Sequence, residues 1–486
     1  MKKLLYILSS LGLTATAAAT VVSCTVPQIK EDYDLKVGLG IDRSKALDDS
    51  NLVNDLGITN FYTIGDSLSD SGGIETIGSL GLNEIFQLVR PLLDKIPDLI
   101  IMLEGLVDGI IDGMEQIPDQ LKPIAKKLAH LVIKIKKEKV ENVKLNIQMT
   151  DADGVEVAGY SHGFTNQKPA AVVVAEKLGF VDPSAEVTKA SNGKEFKAGV
   201  STNVVGLDLE SEQYGSSKDK YNGNNYAIGG ATSSTVDNFT GILLNSVQIN
   251  DQAMALVKQH QTKSTDLVFM EIGGNDLFSL IDIFHNRNKT SNWEQQIETK
   301  LDEAIGNIKA ALLTLLNNDV KKIIVANAPD VSLLPLYNNP SLFEEDNPDK
   351  EENLAVKEFA HYITGKFNKK FFDQFDKINK KYGNTMMSYD LVKKMDDMLK
   401  EFTKDNPKKI ADKPSVDLFA AFPDPKITDK TLEITMTHKI KDGLTVADLD
   451  NYFFWDSIHP GSWAHTSVAN DLFDNYILKM FPKQQQ

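Results

Sequence analysis

Four short apolar runs that end at glycine, asparagine or proline constrain the fold of this chain more than any other feature. Residues 60–67 read NFYTIGDS, residues 266–272 read DLVFMEI before a Gly-Gly pair, and residues 322–326 read KIIVA before Asn-Ala-Pro. NYAI at residues 225–228 also leads into a Gly-Gly pair. Continuous apolar runs of this length, stopped by turn residues, are typical of buried parallel strands.

Amphipathic stretches separate and follow these runs. Residues 293–316 carry apolar side chains at helical spacing, namely Ile297, Leu301, Ile305, Ile308, Leu312 and Leu315. A second helix is predicted at residues 353–382. Because strands alternate with helices, the sequence predicts an α/β fold with helices on both faces of a mostly parallel sheet.

The composition excludes several function classes. The chain has 486 residues, 42% of them hydrophobic, and a formal net charge of −16. This acidic balance argues against broad nucleic-acid binding, which needs a basic surface. The single cysteine excludes an internal disulfide framework and cysteine-based metal clusters. The histidines are scattered and have no spacing that suits a metal site.

The N-terminus has the layout of a secretory signal peptide over residues 1–23. Two lysines precede a short apolar run and a stretch of small residues, and Cys24 follows. Val21-Val22-Ser23-Cys24 resembles a bacterial lipobox, in which the cysteine is diacylated and becomes the new N-terminus. We therefore expect Cys24 to be the lipid attachment point, with a polar tether over residues 24–57 and the rest of the chain on the extracellular face of the cell membrane.

An incidental cysteine after an ordinary signal peptide is the alternative. The chain's only cysteine stands at the lipobox, however, which favours the lipoprotein interpretation. The cysteine-poor composition, rich in Lys and Asn, is also similar to that of mollicute surface lipoproteins.

Four blocks carry the residues suited to chemistry: GDSLSDSG (65–72), NYAIGGAT (225–232), IGGND (272–276) and DSIHP (456–460). The first places Ser67 in a strand-to-helix turn at the carboxyl edge of the sheet, where ligands of α/β sheets bind. In the last block, Asp456 precedes His459 by three residues. That spacing lets the carboxylate accept a hydrogen bond from imidazole Nδ1, so that Nε2 is free to face a nucleophile.

In this order the blocks resemble those of the GDSL esterase/lipase family, the SGNH hydrolases. The resemblance spans about residues 60–473 and implies a three-layer α/β/α sandwich of the SGNH-hydrolase, flavodoxin-like type. The hydrolase domain would cover residues 58–486, with a helical insertion at about residues 74–157. A weaker match, at residues 159–180, is similar to the stretch that follows the first block in larger lipases.

The resemblance implies Ser67 as nucleophile, His459 as general base and Asp456 as the residue that orients it. The implied oxyanion hole consists of the Ser67 N–H, the Gly230 N–H and the Asn275 side-chain amide, with Gly229 as the alternative glycine. His465, six residues after His459, is interpreted as a helix-face residue.

The implied activity is that of a serine ester hydrolase that cleaves carboxylic esters, above all lipid acyl esters, without a metal or cofactor. The expected partners are the ester substrate and the membrane reached through Cys24, with no nucleic acid; the sequence does not indicate the oligomeric state. Two alternatives stay open, a carbohydrate O-deacetylase of the same family and a non-catalytic surface-binding lipoprotein on a hydrolase scaffold.

The insertion has two interpretations. It contains an acidic and a basic amphipathic helix that could pair as a hairpin, followed by a β-hairpin predicted at residues 143–157 with its turn at residues 151–154. The helices would be either a lid that meets lipid or a structural hairpin buried against the hydrolase body.

Overall fold

The computed structural model describes residues 36–44, 46–48, 54–95, 108, 111–112, 126, 129–130, 140–157, 163–181, 203–204, 207–208, 223–236, 247–404, 408–421 and 423–482. The predicted signal peptide, the lipid attachment point Cys24 and most of the predicted tether lie outside the described residues. Among the described residues, no helix is long and apolar enough to cross a membrane.

The strands are β1 (Phe61–Gly65), β2 (Asn142–Thr150), β3 (Asn203–Val204), β4 (Leu207–Asp208), β5 (Leu267–Glu271), β6 (Lys322–Ala326), β7 (Met386–Tyr389), β8 (Ile410–Pro414), β9 (Val416–Ala421), β10 (Lys426–Thr428), β11 (Thr431–Ile440) and β12 (Tyr452–Phe454). The helices are α1 (Gly73–Lys95), α2 (Ala170–Lys177), α3 (Ile249–Gln259), α4 (Gly274–His285), α5 (Trp293–Asn317), α6 (Pro335–Asn338), α7 (Lys350–Lys381), α8 (Leu391–Thr403), α9 (Ser462–Asp471) and α10 (Leu478–Met480). The π-helical segment Leu472–Ile477 joins α9 to α10.

The central sheet is parallel, with strand order β1-β5-β6-β7. The strands predicted from the runs at residues 60–67, 266–272 and 322–326 are confirmed as β1, β5 and β6. Residues 225–228 do not form a regular strand but run beside β1, where the Tyr226 N–H donates to the Thr63 carbonyl oxygen over 2.7 Å. The carboxyl ends of the strands are level, since Gly65 is paired with Glu271 and Glu271 with Ala326.

Alternate strand residues point into two apolar layers, which makes the predicted three-layer α/β/α sandwich. Tyr62 and Met270 pack with α3, α4, α5 and α7 on one face. Phe61 and Phe269 pack with α2 and α9 on the other. The helices predicted at residues 293–316 and 353–382 are confirmed as α5 and α7, which both belong to the first layer.

A second sheet joins the insertion to the C-terminal part of the chain. Strand β2 pairs in parallel with β11 along its whole length, and β9 and β10 flank β11. The hairpin predicted at residues 143–157 forms only at its turn, where one bridge links Thr150 to Glu156. The insertion is therefore not only helical, because its strand finds its main partner almost 300 residues further along the chain.

Helix α1 covers the other edge of β2. Ser79 and Asn83 on α1 accept hydrogen bonds from the backbone N–H groups of Leu145 and Val143, over 2.9 and 3.1 Å. The free edge of β2 is thereby paired with side chains and protected from edge-to-edge association. Apolar residues of α1, including Phe86 and Val89, are buried.

The described residues of the two predicted insertion helices contact each other. Lys126 Nζ lies 2.7 Å from Asp112 Oδ2, and His130 Nε2 lies 2.8 Å from Asp108 Oδ1. These pairs have the register of an antiparallel hairpin, in which an acidic segment faces a basic one. The remaining residues of both predicted helices lie outside the described part of the chain.

Candidate active site

Ser67 lies in the turn that follows β1, and its side chain is buried. The turn is held by Asp70, whose carboxylate accepts four backbone N–H groups: those of Gly72 (2.9 Å), Gly73 (2.5 Å), Ile74 (3.1 Å) and Gly229 (2.6 Å). Gly73 and Ile74 begin α1, Gly72 directly precedes it, and Gly229 belongs to the second block. A charged acceptor shared in this way fixes the nucleophile turn relative to both segments.

A buried pair of carboxyl groups lies directly beneath the turn. Asp66 precedes Ser67, and its side chain is hydrogen-bonded to that of Glu271 at the end of β5. Burial raises the pKa of Asp66, and burial together with the nearby Asp66 charge raises the pKa of Glu271 well above its ordinary value. The raised pKa values favour one proton between the two carboxyl groups, so that one group donates a hydrogen bond to the other. Glu271 Oε2 also accepts the Ser69 hydroxyl over 2.9 Å, which ties the pair to the turn.

The C-terminal block brings a histidine and an aspartate to Ser67. His459 Nε2 lies 2.7 Å from Ser67 Oγ, and His459 Nδ1 lies 2.7 Å from Asp456 Oδ2. The second oxygen, Asp456 Oδ1, accepts the backbone N–H groups of Ile458 and His459, each over 2.7 Å. The block thus places both side chains by its own backbone hydrogen bonds, directly after β12.

The electrostatics of this pair favour an ionised carboxylate. Burial by itself would raise the pKa of Asp456, but the charge and hydrogen bonds of His459 and the Ile458 N–H hold that pKa below its usual value. A charged, fully hydrogen-bonded carboxylate stabilises an imidazolium at His459 and keeps the neutral ring protonated on Nδ1. The arrangement can therefore accept a proton from Ser67 Oγ at Nε2.

Phe164 supports the histidine from the side. Its ring centroid lies 4.8 Å from that of the His459 imidazole, with 35° between the planes. A Cβ atom at Gly229 would lie 2.3 Å from the Phe164 ring, so the packing of this ring explains the first glycine of the Gly-Gly pair. Asn166 anchors the same segment by accepting the Ser462 N–H at the start of α9, over 2.8 Å.

Of the candidate oxyanion donors, Asn275 lines the same pocket as Ser67, and Gly230 follows Gly229, which is bound to the nucleophile turn. The Gly229 N–H is already bound to Asp70, whereas the Gly230 N–H makes no hydrogen bond to the described residues. Gly230 has a φ of 82°, a backbone conformation that favours glycine. Asn275, at the start of α4, uses one of its two amide hydrogens to bind the Ala231 carbonyl oxygen over 3.0 Å. The geometry therefore favours Gly230 over Gly229 and leaves one Asn275 hydrogen for a ligand.

Asp276 links the third block to the two residues that directly follow the second block. Its buried carboxylate accepts the Ser233 N–H over 2.8 Å and the Ser234 N–H over 2.7 Å. The aspartate of the GGND sequence thus accepts backbone hydrogen bonds. These bonds hold the segment that follows Gly229-Gly230 against the start of α4.

An apolar pocket opens beside Ser67 and His459. It extends over the carboxyl ends of the central strands and is lined mainly by apolar side chains: Phe269, Phe278, Ala326, Val331, Leu334, Leu391, Met395, Met398, Phe453 and Val468. His465 also lines it. The position of His465 on helix α9 agrees with the helix-face interpretation, but its side chain is buried against the pocket rather than exposed.

The structure thus brings Ser67, His459 and Asp456 into one hydrogen-bonded chain. Gly230 lies in the neighbouring Gly-Gly turn and Asn275 in the first turn of α4. Sequence reasoning missed Phe164, Glu271 and the inward-facing His465. Phe164 lies within the weaker match at residues 159–180, which was the available signal for it.

Residues 61–472, more than four fifths of the chain, match the family model described as GDSL-like lipase/acylhydrolase. The match begins at β1 and ends just after α9, so it contains all four blocks and the insertion. No curated protein matches the chain.

Proposed function

Because the chain belongs to the GDSL-like lipase/acylhydrolase family, we propose that it is a serine esterase that cleaves esters of extended acyl chains through an acyl-Ser67 intermediate. Family membership establishes a hydrolase of the ester type in general. The observation that carries the finer proposal is the chain of two 2.7 Å contacts from Ser67 through His459 to Asp456.

In the first half-reaction, Ser67 Oγ attacks the ester carbonyl carbon while His459 Nε2 takes the hydroxyl proton. The carbonyl oxygen becomes an oxyanion, which the backbone N–H groups of Ser67 and Gly230 and the free amide hydrogen of Asn275 stabilise. The bond to the alcohol oxygen then breaks, and His459 returns the proton to the departing alcohol.

In the second half-reaction, water attacks the acyl carbon and His459 takes its proton. The bond to Ser67 Oγ breaks, the proton returns to the serine, and the carboxylic acid leaves. Throughout both steps Asp456 stays ionised and stabilises the imidazolium of His459, which its low pKa allows.

The pocket lining favours a long acyl chain over acetate. Aliphatic and aromatic side chains from β5, β6 and α8 line it. Transfer of one methylene group of the substrate from water to such a surface contributes about 0.8 kcal/mol of favourable free energy. An acetyl group would leave this surface unused. The carbohydrate O-deacetylase alternative is therefore the weaker candidate for this pocket.

The test is a panel of p-nitrophenyl esters from acetate to dodecanoate, together with labelling by an alkyl fluorophosphonate. We expect kcat/KM to rise roughly tenfold for every two methylenes that enter the pocket, up to the length at which the pocket is full. Mass spectrometry should place the phosphonate on Ser67. Fastest hydrolysis of acetate would support the deacetylase alternative, and absence of both labelling and hydrolysis would support the non-catalytic one.

We also propose that the protein is anchored through Cys24 at the extracellular face of the cell membrane. The support is the sequence of residues 1–24, with its basic start, apolar run and lipobox-like end. In the bacterial cell, the Cys24→Ser variant is expected to shift from the membrane fraction to the soluble fraction, whereas a Ser23→Ala variant should remain with the membrane. Membrane retention of Cys24→Ser after a salt wash would contradict the anchor.

A further inference from the structure

Each polar side chain that lines the pocket has a hydrogen-bond partner among the described residues, and the one exception is a single ring nitrogen. The partnered groups are Asp66 with Glu271, Ser69 with Glu271, Ser67 with His459, Asn275 with the Ala231 carbonyl oxygen, and the Tyr389 hydroxyl with Asp471 Oδ2. The exception is His465, whose Nε2 is buried and makes no hydrogen bond to any described residue.

The hydrogen bonds of His465 identify the unpartnered atom as a donor. Nδ1 accepts the Ala170 backbone N–H over 3.2 Å, so the ring hydrogen of the neutral imidazole stands on Nε2. The ring is neutral because burial, with a smaller effect of the His459 charge, lowers the pKa of His465 to about 3. A buried N–H without an acceptor costs about 1–3 kcal/mol, and a bound ligand oxygen would remove that cost.

We propose that His465 is a specificity residue whose Nε2–H binds a neutral oxygen, an oxo or ether group, on the acyl chain of the substrate. The inference rests on the proposed esterase function, because it assigns His465 to the pocket that receives the acyl chain. Ala170, which fixes the ring, also lines that pocket.

The surroundings decide which kind of oxygen fits. A carboxylate on the chain would meet the buried carboxyl pair Asp66–Glu271, and the neutral His465 ring would not balance its charge. A hydroxyl group would bring a second hydrogen against an apolar wall. An oxo or ether oxygen only accepts hydrogen bonds, so it satisfies His465 without adding an unpaired donor.

The experiment compares p-nitrophenyl octanoate with its oxo derivatives, which carry the carbonyl at carbon 4, 5, 6 or 7, with spontaneous hydrolysis subtracted. In the wild-type protein we expect one position to give a kcat/KM about tenfold above its neighbours, the size of one hydrogen bond. Equal kcat/KM values for the four oxo derivatives would overturn the proposal for His465, whereas the proposed esterase function would still stand. If octanoate itself is not cleaved, the proposed function fails instead.

Two variants distinguish the role of His465 Nδ1 as an acceptor from the role of His465 Nε2 as a donor. His465→Asn keeps an acceptor for the Ala170 N–H but is too short to reach the Nε2 position, so the ratio of oxo-octanoate to octanoate should fall about tenfold. His465→Gln places an amide hydrogen near the Nε2 position and should retain part of the preference. Each ratio is taken within one variant, so changes in folding cancel.

Met398→Leu, on helix α8, is the matched control, because it changes an apolar lining residue without adding or removing a donor. Its ratio should equal that of the wild type. A preference that survives in His465→Asn, or one that Met398→Leu loses to the same extent, contradicts the assignment to His465.

Discussion

Replacement of Ser67 by alanine is expected to lower kcat for p-nitrophenyl octanoate by about 10⁵- to 10⁶-fold, the loss that follows removal of a triad nucleophile. The change removes Ser67 Oγ, which lies 2.7 Å from His459 Nε2, and it leaves the pocket lining and the backbone of the turn in place. Substrate binding should therefore persist while chemistry stops. Initial rates with limiting enzyme, alongside binding of a non-hydrolysable octanoyl amide, measure the two separately.

Ser457→Ala is the control for this experiment. Ser457 lies in the same block as Asp456 and His459, but its hydroxyl takes no part in the hydrogen-bonded chain to Ser67. Its rates and its melting temperature should stay close to those of the wild type. Ester hydrolysis by Ser67→Ala within tenfold of the wild-type rate would show that another group is the nucleophile, and the proposed mechanism would be wrong.

The site could be predicted from sequence because each of its parts is local. Asp456 and His459 are three residues apart, and the turn that joins them is closed by their own backbone. Ser67 follows a short, largely apolar run of the kind that is typical of a buried strand. The parallel sheet brings the ends of β1 and β5 to one edge. The fourth block follows β12, which pairs with β8 outside that sheet, so its place beside Ser67 was implied by the resemblance of the block order to the family.

The second sheet could not be predicted in the same way. Polar and apolar residues alternate along residues 142–150, as in an amphipathic strand. This pattern predicts which face of the strand is buried, but it does not predict which strand pairs with it. The nearest candidate in sequence was the return of a hairpin, whereas the actual neighbour is β11. A pairing across almost 300 residues leaves no periodic signal in a single sequence.

Contacts that depend on two distant side chains were also missed. In the sequence, Glu271 is one polar residue at the end of an apolar run, and only the structure shows that its side chain is hydrogen-bonded to that of Asp66. The sequence places His465 on a helix, but the spacing of its residues does not show that the His465 side chain faces inward. Both residues line the pocket, which is the part of the site that the sequence describes least.

Replacement of Asp456 by asparagine is expected to lower kcat by about 10⁴-fold while the fold is kept. The backbone N–H groups of Ile458 and His459 both need an acceptor at the Oδ1 position, so the new amide must keep its oxygen there. Its NH₂ group then faces His459 Nδ1, which has to become an acceptor. The ring proton moves to Nε2, where it blocks transfer from Ser67.

Comparison with Asp456→Ala isolates this tautomer effect from loss of the turn. Alanine leaves the two backbone donors without an acceptor and should lower the free energy of unfolding by about 1–3 kcal/mol for each donor that stays buried and unpaired, whereas asparagine keeps both bonds. Thermal unfolding and kcat measured on both variants give the comparison. If Asp456→Asn melts like the wild type and also retains more than a tenth of its kcat, Asp456 does not set the tautomer, and its role reduces to holding the turn.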